Sequence, residues 1–222
     1  PASRARFTFR RARRRWRRAR KRRTVGVPAR IASRLCCADK DRAEARLVGG
    51  DHALEGELAL DAGVAADKIS FAGPGKRDRE LEFAIANGVS LNCESEGEAE
   101  RAFAISERLG VAPKIAVRVN PSFDLKGSGM KMGGGAKPFG VDADRVPALV
   151  RRIIAAGADW RGFHIYAGSQ ALDAEAIIAM QAQTLALAAE LAEAAGAAPP
   201  KVNLGGGFGI PYFPGDIAFD LD

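Results

Sequence analysis

Histidine, cysteine and tyrosine are scarce in this chain, which argues against several kinds of site. Its 222 residues include only two histidines, three cysteines and two tyrosines. Cys36 and Cys37 are adjacent and no Cys-x-x-Cys pair occurs, so the pattern predicts neither a zinc site nor a disulfide framework. No serine lies in a Gly-x-Ser-x-Gly segment, which is typical of acyl-transfer enzymes. We therefore expect no metal and no serine nucleophile.

Long apolar runs are also missing. No stretch approaches the about 20 apolar residues of a membrane-spanning helix. We expect no membrane association and, by default, a cytoplasmic protein.

Acidic side chains are absent from the first 23 residues. This segment holds 13 of the 34 Lys and Arg residues, and the rest of the chain holds 21 basic against 27 acidic residues. Three interpretations of residues 1–46 remain open: an arm that binds nucleic-acid phosphates, a solvated disordered tail, or the product of a shifted reading frame. We expect the third, with only nonspecific binding of nucleic acid.

The most informative segment is 203–210, which holds three glycines at 205–207 and comes directly after the extended run Lys201-Val202. Glycines at a strand end let the backbone approach a ligand closely, because no Cβ intervenes. Their N–H groups can then surround an anion such as a phosphate. A plain turn is the alternative.

Short β-rich runs alternate with helical patterns along the chain. The β-rich runs begin near residues 68, 89, 114, 160 and 201, and helical spacing predicts helices over 78–87, 95–110, 141–157 and 173–196. The alternation predicts an α/β fold with a parallel sheet, either open and doubly wound or closed into a barrel. The loop at 123–135 is glycine-rich and reads as long and irregular.

Polar residues follow the predicted strands. They are Gly73, Glu94, Arg118, Asn120, His164, Tyr166, Ser169 and the glycines at 205–207. This spread over five strands favours a barrel, in which every strand contributes to one mouth.

Six motifs in order give the chain a family resemblance. They are Phe-Ala-Gly-Pro-Gly-Lys at 71–76, Glu-Ser-Glu at 94–96, Arg-Val-Asn-Pro at 118–121, Phe-Gly at 139–140, Gly-Phe-His-x-x-x-Gly-Ser-Gln at 162–170 and Gly-Gly-Gly-x-Gly at 205–209. Together they make residues 47–222 resemble the pyridoxal-phosphate-dependent decarboxylases of the diaminopimelate, ornithine and arginine type. The loop at 123–135 is similar to a narrower branch, the exosortase-associated enzymes and those acting on carrier-protein-bound amino acids.

The resemblance implies an incomplete (βα)8 TIM-type barrel of the alanine racemase type, without the family's C-terminal β domain. It implies pyridoxal 5′-phosphate as the cofactor. The cofactor-binding residues that it indicates are Asp51, Glu57, Arg118, His164, Tyr166, Ser169, Gly205, Gly206 and Gly207.

The resemblance also implies individual roles. The three glycines and Ser169 hold the phosphate, and Tyr166 takes the position of the family's ring-stacking histidine. An aromatic ring still offers a stacking face there; a position at the rim is the alternative. Glu57 matches the acid that keeps the pyridine nitrogen protonated, although Glu57 and Asp51 fit a solvated helix start equally well. For His164, a place behind the cofactor is the alternative to direct contact.

The chain departs from the family at the lysine that forms the Schiff base. The family's Tyr-x-x-Lys-Ala-Asn motif lies upstream of Asp51, where this chain reads Ala-Arg-Ile-Ala-Ser-Arg at 29–34. Arg34 is no substitute, because a guanidinium stays charged, and Lys40 lacks the flanking motif. We therefore identify no catalytic residue and expect the chain as given to be inactive.

For the intact enzyme, the resemblance implies a homodimer that removes the α-carboxylate of a free or carrier-bound amino acid as CO2. A racemase on the same barrel is one alternative. A non-catalytic protein that binds pyridoxal phosphate or nucleic acid is another.

Overall fold

The computed structural model describes residues 48–50, 53–124, 130, 131, 133, 135 and 137–216. They form two compact units. The first contains the described residues up to Leu91 together with Glu100–Lys114, and the second contains Asn92–Ala99 and the described residues from Ile115 onward. The interpretations of residues 1–46 and the role predicted for Asp51 lie outside the described residues.

The first unit is built from parallel strands with helices between them. Strand β1 (Val48–Gly50) pairs with β2 (Ile69–Phe71), and β2 pairs with β3 (Ser90–Cys93), both in parallel. Helix α1 (Ala53–Asp61) and a short 3-10 turn connect the first two strands, and α2 (Asp78–Asn87) connects the next two. Parallel strands need such crossover connections, so the predicted α/β class is confirmed here.

Local signals fix the ends of the helices in this part of the chain. Helix α2 coincides with the predicted helix over 78–87, and it ends at Gly88 in the left-handed conformation with φ of 73°. Helix α3 (Glu96–Leu109) begins where the Ser95 hydroxyl accepts a hydrogen bond from the Glu98 N–H at 3.1 Å. This bond satisfies one of the N–H groups that have no partner at a helix start.

In the second unit, β4 (Lys114–Asn120), β7 (Asp159–Ile165) and β9 (Val202–Asn203) are neighbours in that order. Strands β7 and β9 are parallel, with His164 opposite Asn203. They approach closely at Gly162, where φ is +102° and a Cβ would clash with the Lys201 carbonyl. Only glycine fits both conditions.

Two helices of the second unit, α4 (Val146–Ala155) and α5 (Ala174–Ala195), pack against each other. Helix α5 begins after Asp173, whose carboxylate accepts the Glu175 N–H at 3.0 Å, and it ends at Gly196 with φ of 67°. The helix predicted over 173–196 is therefore confirmed. None of the helices in the described ranges is long and apolar enough to cross a membrane.

Two predictions were wrong in detail. The first residues of the helix predicted over 141–157 form strand β6 (Val141–Asp142), which pairs with the end of β4, and α4 starts only at Val146. The loop at 123–135 is not wholly irregular. It contains β5 (Met130–Lys131), which pairs antiparallel with β8 (Gly168–Ser169).

Candidate functional site

In the glycine turn after β9, a side chain would clash with its surroundings at one glycine and would meet open space at another. Gly205 has φ of +73°, and a Cβ on it would clash with the ring of Tyr166. A Cβ on Gly206 would meet nothing within 4 Å. The Gly205 N–H donates to the side-chain oxygen of Asn203 at 2.9 Å. The turn is therefore shaped by Asn203 and Tyr166, and it leaves space beside Gly206.

Backbone hydrogen bonds tie the glycine turn to the segment that follows Ser169. The Ala171 N–H donates to the Gly207 carbonyl at 2.9 Å, and the Gly209 N–H donates to the Ala171 carbonyl at 2.7 Å. Gln170, which lies between Ser169 and Ala171, adopts a positive φ of 62°, which is uncommon for a residue with a side chain. The structure thus brings the glycine turn next to the Gly-Ser-Gln motif, although the two are far apart in sequence.

His164 and Tyr166 come from the end of β7 and lie beside this turn. His164 is partly buried, with its Nδ1 atom shielded from solvent, and Asn203 is its neighbour on β9. Tyr166 is half-buried, and its ring contacts Gly205. Both side chains occupy the strand end at which the sequence analysis expects them.

Arg118 lies in a buried cluster at the carboxyl end of β4. Its Nη1 donates to both carboxylate oxygens of Glu94, at 3.0 and 3.3 Å, and only 5% of the Arg118 and 1% of the Glu94 side chain are exposed. The Gly140 N–H donates to Glu94 at 3.1 Å. The Phe139 ring lies 5.0 Å from the Arg118 guanidinium carbon. Both charged residues and the Phe-Gly motif stand out in the sequence, whereas the contact between them does not.

Asn120 extends this polar group to β6. Its side-chain nitrogen donates to the Asp142 carboxylate at 2.9 Å and to the Gly135 carbonyl at 3.0 Å. These bonds fix the end of β4 to the return of the 123–135 loop.

Two other residues of interest lie in the first unit. Glu57 is in α1 and partly buried, so its predicted place near the pyridine nitrogen stays a prediction. Lys76 of the Gly-Pro-Gly-Lys motif is buried, with its ammonium group donating to the Gly73 carbonyl at 2.7 Å. Among the described residues, no group of three or more His, Cys, Asp or Glu side chains is placed to hold a metal ion.

The family model for the pyridoxal binding domain of pyridoxal-dependent decarboxylases matches residues 49–221. The chain therefore belongs to this family. This confirms the resemblance inferred from the six motifs, together with pyridoxal phosphate as the cofactor of the family.

Individual relatives agree with this assignment. The chain is 34% identical over 178 residues to the L-glutamyl-(BtrI acyl-carrier protein) decarboxylase of Niallia circulans, which covers 78% of this chain and 42% of that protein. It is 34% identical over 180 residues to diaminopimelate decarboxylase of Methanothermobacter thermautotrophicus, covering 78% and 41%. This chain spans about two fifths of the length of these curated relatives.

A solved structure shows the same fold. A mutant diaminopimelate decarboxylase from Helicobacter pylori, complexed with L-lysine, matches with a TM-score of 0.67 at 29% identity, covering 73% of this chain and 42% of that chain. The predicted fold class, an α/β barrel of the TIM type of which this chain forms a part, is therefore confirmed.

Proposed function

We propose that this chain is the cofactor-binding part of an amino-acid decarboxylase, which releases the α-carboxylate of a free or carrier-bound amino acid as CO2. Family membership supports the cofactor. Two relatives are named for their action on diaminopimelate and on a carrier-bound glutamyl group, and these names support a free or carrier-bound amino acid as the substrate class. The homodimer and the cytoplasmic location stay predictions.

The observation that carries the proposal is the junction between the glycine turn and the Gly-Ser-Gln segment. Its geometry fits a phosphate group, because the space beside Gly206 is open and the Ser169 segment is bonded to the turn. The Gly205 N–H already donates to Asn203. We therefore assign phosphate binding mainly to the N–H groups of Gly206 and Gly207 and to the Ser169 hydroxyl, with Gly205 making room for Tyr166.

Tyr166 and His164 lie beside the turn, and the other residues are assigned from the resemblance. Bound pyridoxal phosphate supplies an electron sink for the charge left when the bond to the carboxylate breaks. Tyr166 would offer an aromatic face to the pyridine ring and exclude water from that side, and His164 would lie behind the cofactor. Arg118, which the resemblance indicates as a cofactor-binding residue, would donate to an oxygen of the cofactor. Asp51 and Glu57 keep the roles that the resemblance implies.

Cofactor binding without turnover is the second candidate. It is favoured by residues 29–34, where the resemblance places the family's Schiff-base lysine and the sequence holds no lysine. A racemase is distinguished from a decarboxylase by whether CO2 is released.

The test is a titration of the full chain with pyridoxal phosphate, in which binding is measured from the change in cofactor absorbance. We expect weak, saturable binding without the absorption band of a lysine-bound cofactor. Gly206→Val should abolish binding, because its side chain fills the proposed phosphate space, whereas Gly75→Val should not. Both glycines have open space around their Cβ positions and ordinary φ values, so they form a matched pair.

Two results would contradict the assignment. Equal affinity of Gly206→Val and the unmodified chain would remove the phosphate from the glycine turn. A borohydride-stable adduct at a single lysine would show that the chain has a Schiff-base lysine outside the family motif.

A further inference from the structure

The buried pair of Glu94 and Arg118 is hard to explain as a source of stability alone. Both side chains are removed from water, with 1% and 5% exposed. Desolvating two charges offsets much of their attraction, and well-packed apolar residues of similar volume often stabilise a protein as well or better. A buried ion pair at the carboxyl end of a strand, where the proposed site lies, therefore points to a role in geometry.

Glu94 is held from two directions. One oxygen receives the shorter bond from Arg118 Nη1 at 3.0 Å, and the other accepts the Gly140 N–H at 3.1 Å. Gly140 has φ of +78°, and a Cβ there would lie 2.8 Å from the Asn120 nitrogen, so the Phe-Gly turn sits directly against β4. Glu94 thus joins this turn to Arg118.

The contacts also restrict the orientation of Arg118. Phe139 lies over its guanidinium carbon at 5.0 Å, within the range of a cation–π contact. Both bonds to Glu94 use Nη1, and Nε and Nη2 donate to none of the described residues. A planar guanidinium that is fixed at one nitrogen and on one face presents its other donors in a single direction.

We infer that Glu94 is a positioning residue, which fixes the Arg118 guanidinium for its contact with an oxygen of bound pyridoxal phosphate. The inference rests on the proposed function, in which Arg118 contacts the cofactor. It adds that Glu94 and the Phe-Gly motif act on cofactor binding through Arg118 and not by touching the cofactor.

The experiment compares Glu94→Gln with Glu96→Gln in the full chain. Both replace a carboxylate by an amide on the same segment. Glu96, however, pairs with Arg145 at the surface, where 40% and 57% of the two side chains are exposed. Glu94→Gln should weaken pyridoxal phosphate binding by about tenfold, the size expected for one charge-assisted hydrogen bond. Glu96→Gln should leave the affinity unchanged.

Induced circular dichroism of the cofactor separates positioning from a structural role. At saturating pyridoxal phosphate, a purely structural defect leaves the band of the bound cofactor as in the unmodified chain, because only occupancy is affected. A positioning role predicts a changed band at saturation, and it predicts that Glu94→Asp restores part of the signal.

Phe139→Leu covers the case in which Glu94→Gln does not fold. It keeps both charges and removes the ring over Arg118, so the cofactor band should again change at saturation. If folded Glu94→Gln or Phe139→Leu shows the affinity and band of the unmodified chain, or if Glu96→Gln shows the same loss as Glu94→Gln, the inference is wrong. If the unmodified chain itself binds no pyridoxal phosphate, the proposed function fails and the inference fails with it.

Discussion

Tyr166 and Gly205 fit each other as a pair, since a Cβ on the glycine would overlap the tyrosine ring. The ring is therefore held beside the glycine turn by its packing, and no hydrogen bond is needed to orient it. Where the resemblance places an imidazole, this chain has a phenol that is only half-buried. Its contribution to cofactor binding is then a stacking face, which does not depend on the hydroxyl.

Replacing Tyr166 by alanine should therefore weaken pyridoxal phosphate binding, whereas phenylalanine should preserve it. Loss of one aromatic contact, about 0.5–1.5 kcal/mol, corresponds to a roughly 2- to 13-fold higher dissociation constant. Titration of both variants with the cofactor measures the difference. Unchanged affinity in Tyr166→Ala would support the alternative that Tyr166 lies at the rim of the site.

Single residues were easier to predict than their contacts. Glu94, Arg118 and Tyr166 stand out because each is polar and ends an apolar run, which the sequence displays directly. Their partners depend on how neighbouring strands are aligned, and periodicity along one strand carries no information about that alignment. The bond between Glu94 and the Gly140 N–H spans 46 positions in the chain, and no local pattern indicates it.

At the scale of elements, the 123–135 loop is joined to the strand that carries Ser169. Met130 lies opposite Ser169 in the β5–β8 pair, and the Gly133 N–H donates to the Ala167 carbonyl at 3.1 Å. A Cβ on Gly133 would lie 2.7 Å from the Phe123 carbonyl oxygen and 2.9 Å from Pro121. The loop is therefore bonded to the segment that carries Ser169, next to the proposed phosphate site.

Gly133→Ala should loosen this support. We expect a loss of about 1–3 kcal/mol in the free energy of unfolding, as for other overpacked sites, together with faster hydrogen exchange around residues 167–169. Gly75→Ala is the control, since a Cβ there meets nothing within 4 Å. Urea unfolding and exchange mass spectrometry measure the two effects. Unchanged exchange at 167–169 in a destabilised Gly133→Ala would argue against a link between loop and site.

The elements that sequence analysis located well are those with strong end signals. Helix α5 has Asp173 before it and Gly196 after it, and both act as the sequence predicts. The helix predicted over 141–157 starts too early, because the two residues of β6 are too few to display an alternating pattern. Pro147 marks the true start, since proline is favoured in the first helical turn, where its missing N–H costs no hydrogen bond.

At the scale of the whole molecule, charge is distributed very unevenly along the chain. The first 23 residues carry 13 basic and no acidic side chains, whereas acidic residues outnumber basic ones, 27 to 21, in the remainder. The family model begins only at residue 49. The properties expected from the net charge of +7 thus arise outside the family region, and they indicate nothing about the cofactor site.

Deleting residues 1–46 tests this separation. We expect the shortened chain to keep its affinity for pyridoxal phosphate and its unfolding midpoint, and to lose any binding to RNA.

In the full chain, RNA binding should be independent of sequence and should fall steeply with salt, because it arises from counterion release. Six to ten phosphate contacts correspond to a loss of about 10³–10⁵ in affinity between roughly 50 and 200 mM salt. Gel-shift titrations with two unrelated RNAs at both salt concentrations measure this. Selective binding that survives the higher salt would show instead that residues 1–46 are a genuine nucleic-acid arm.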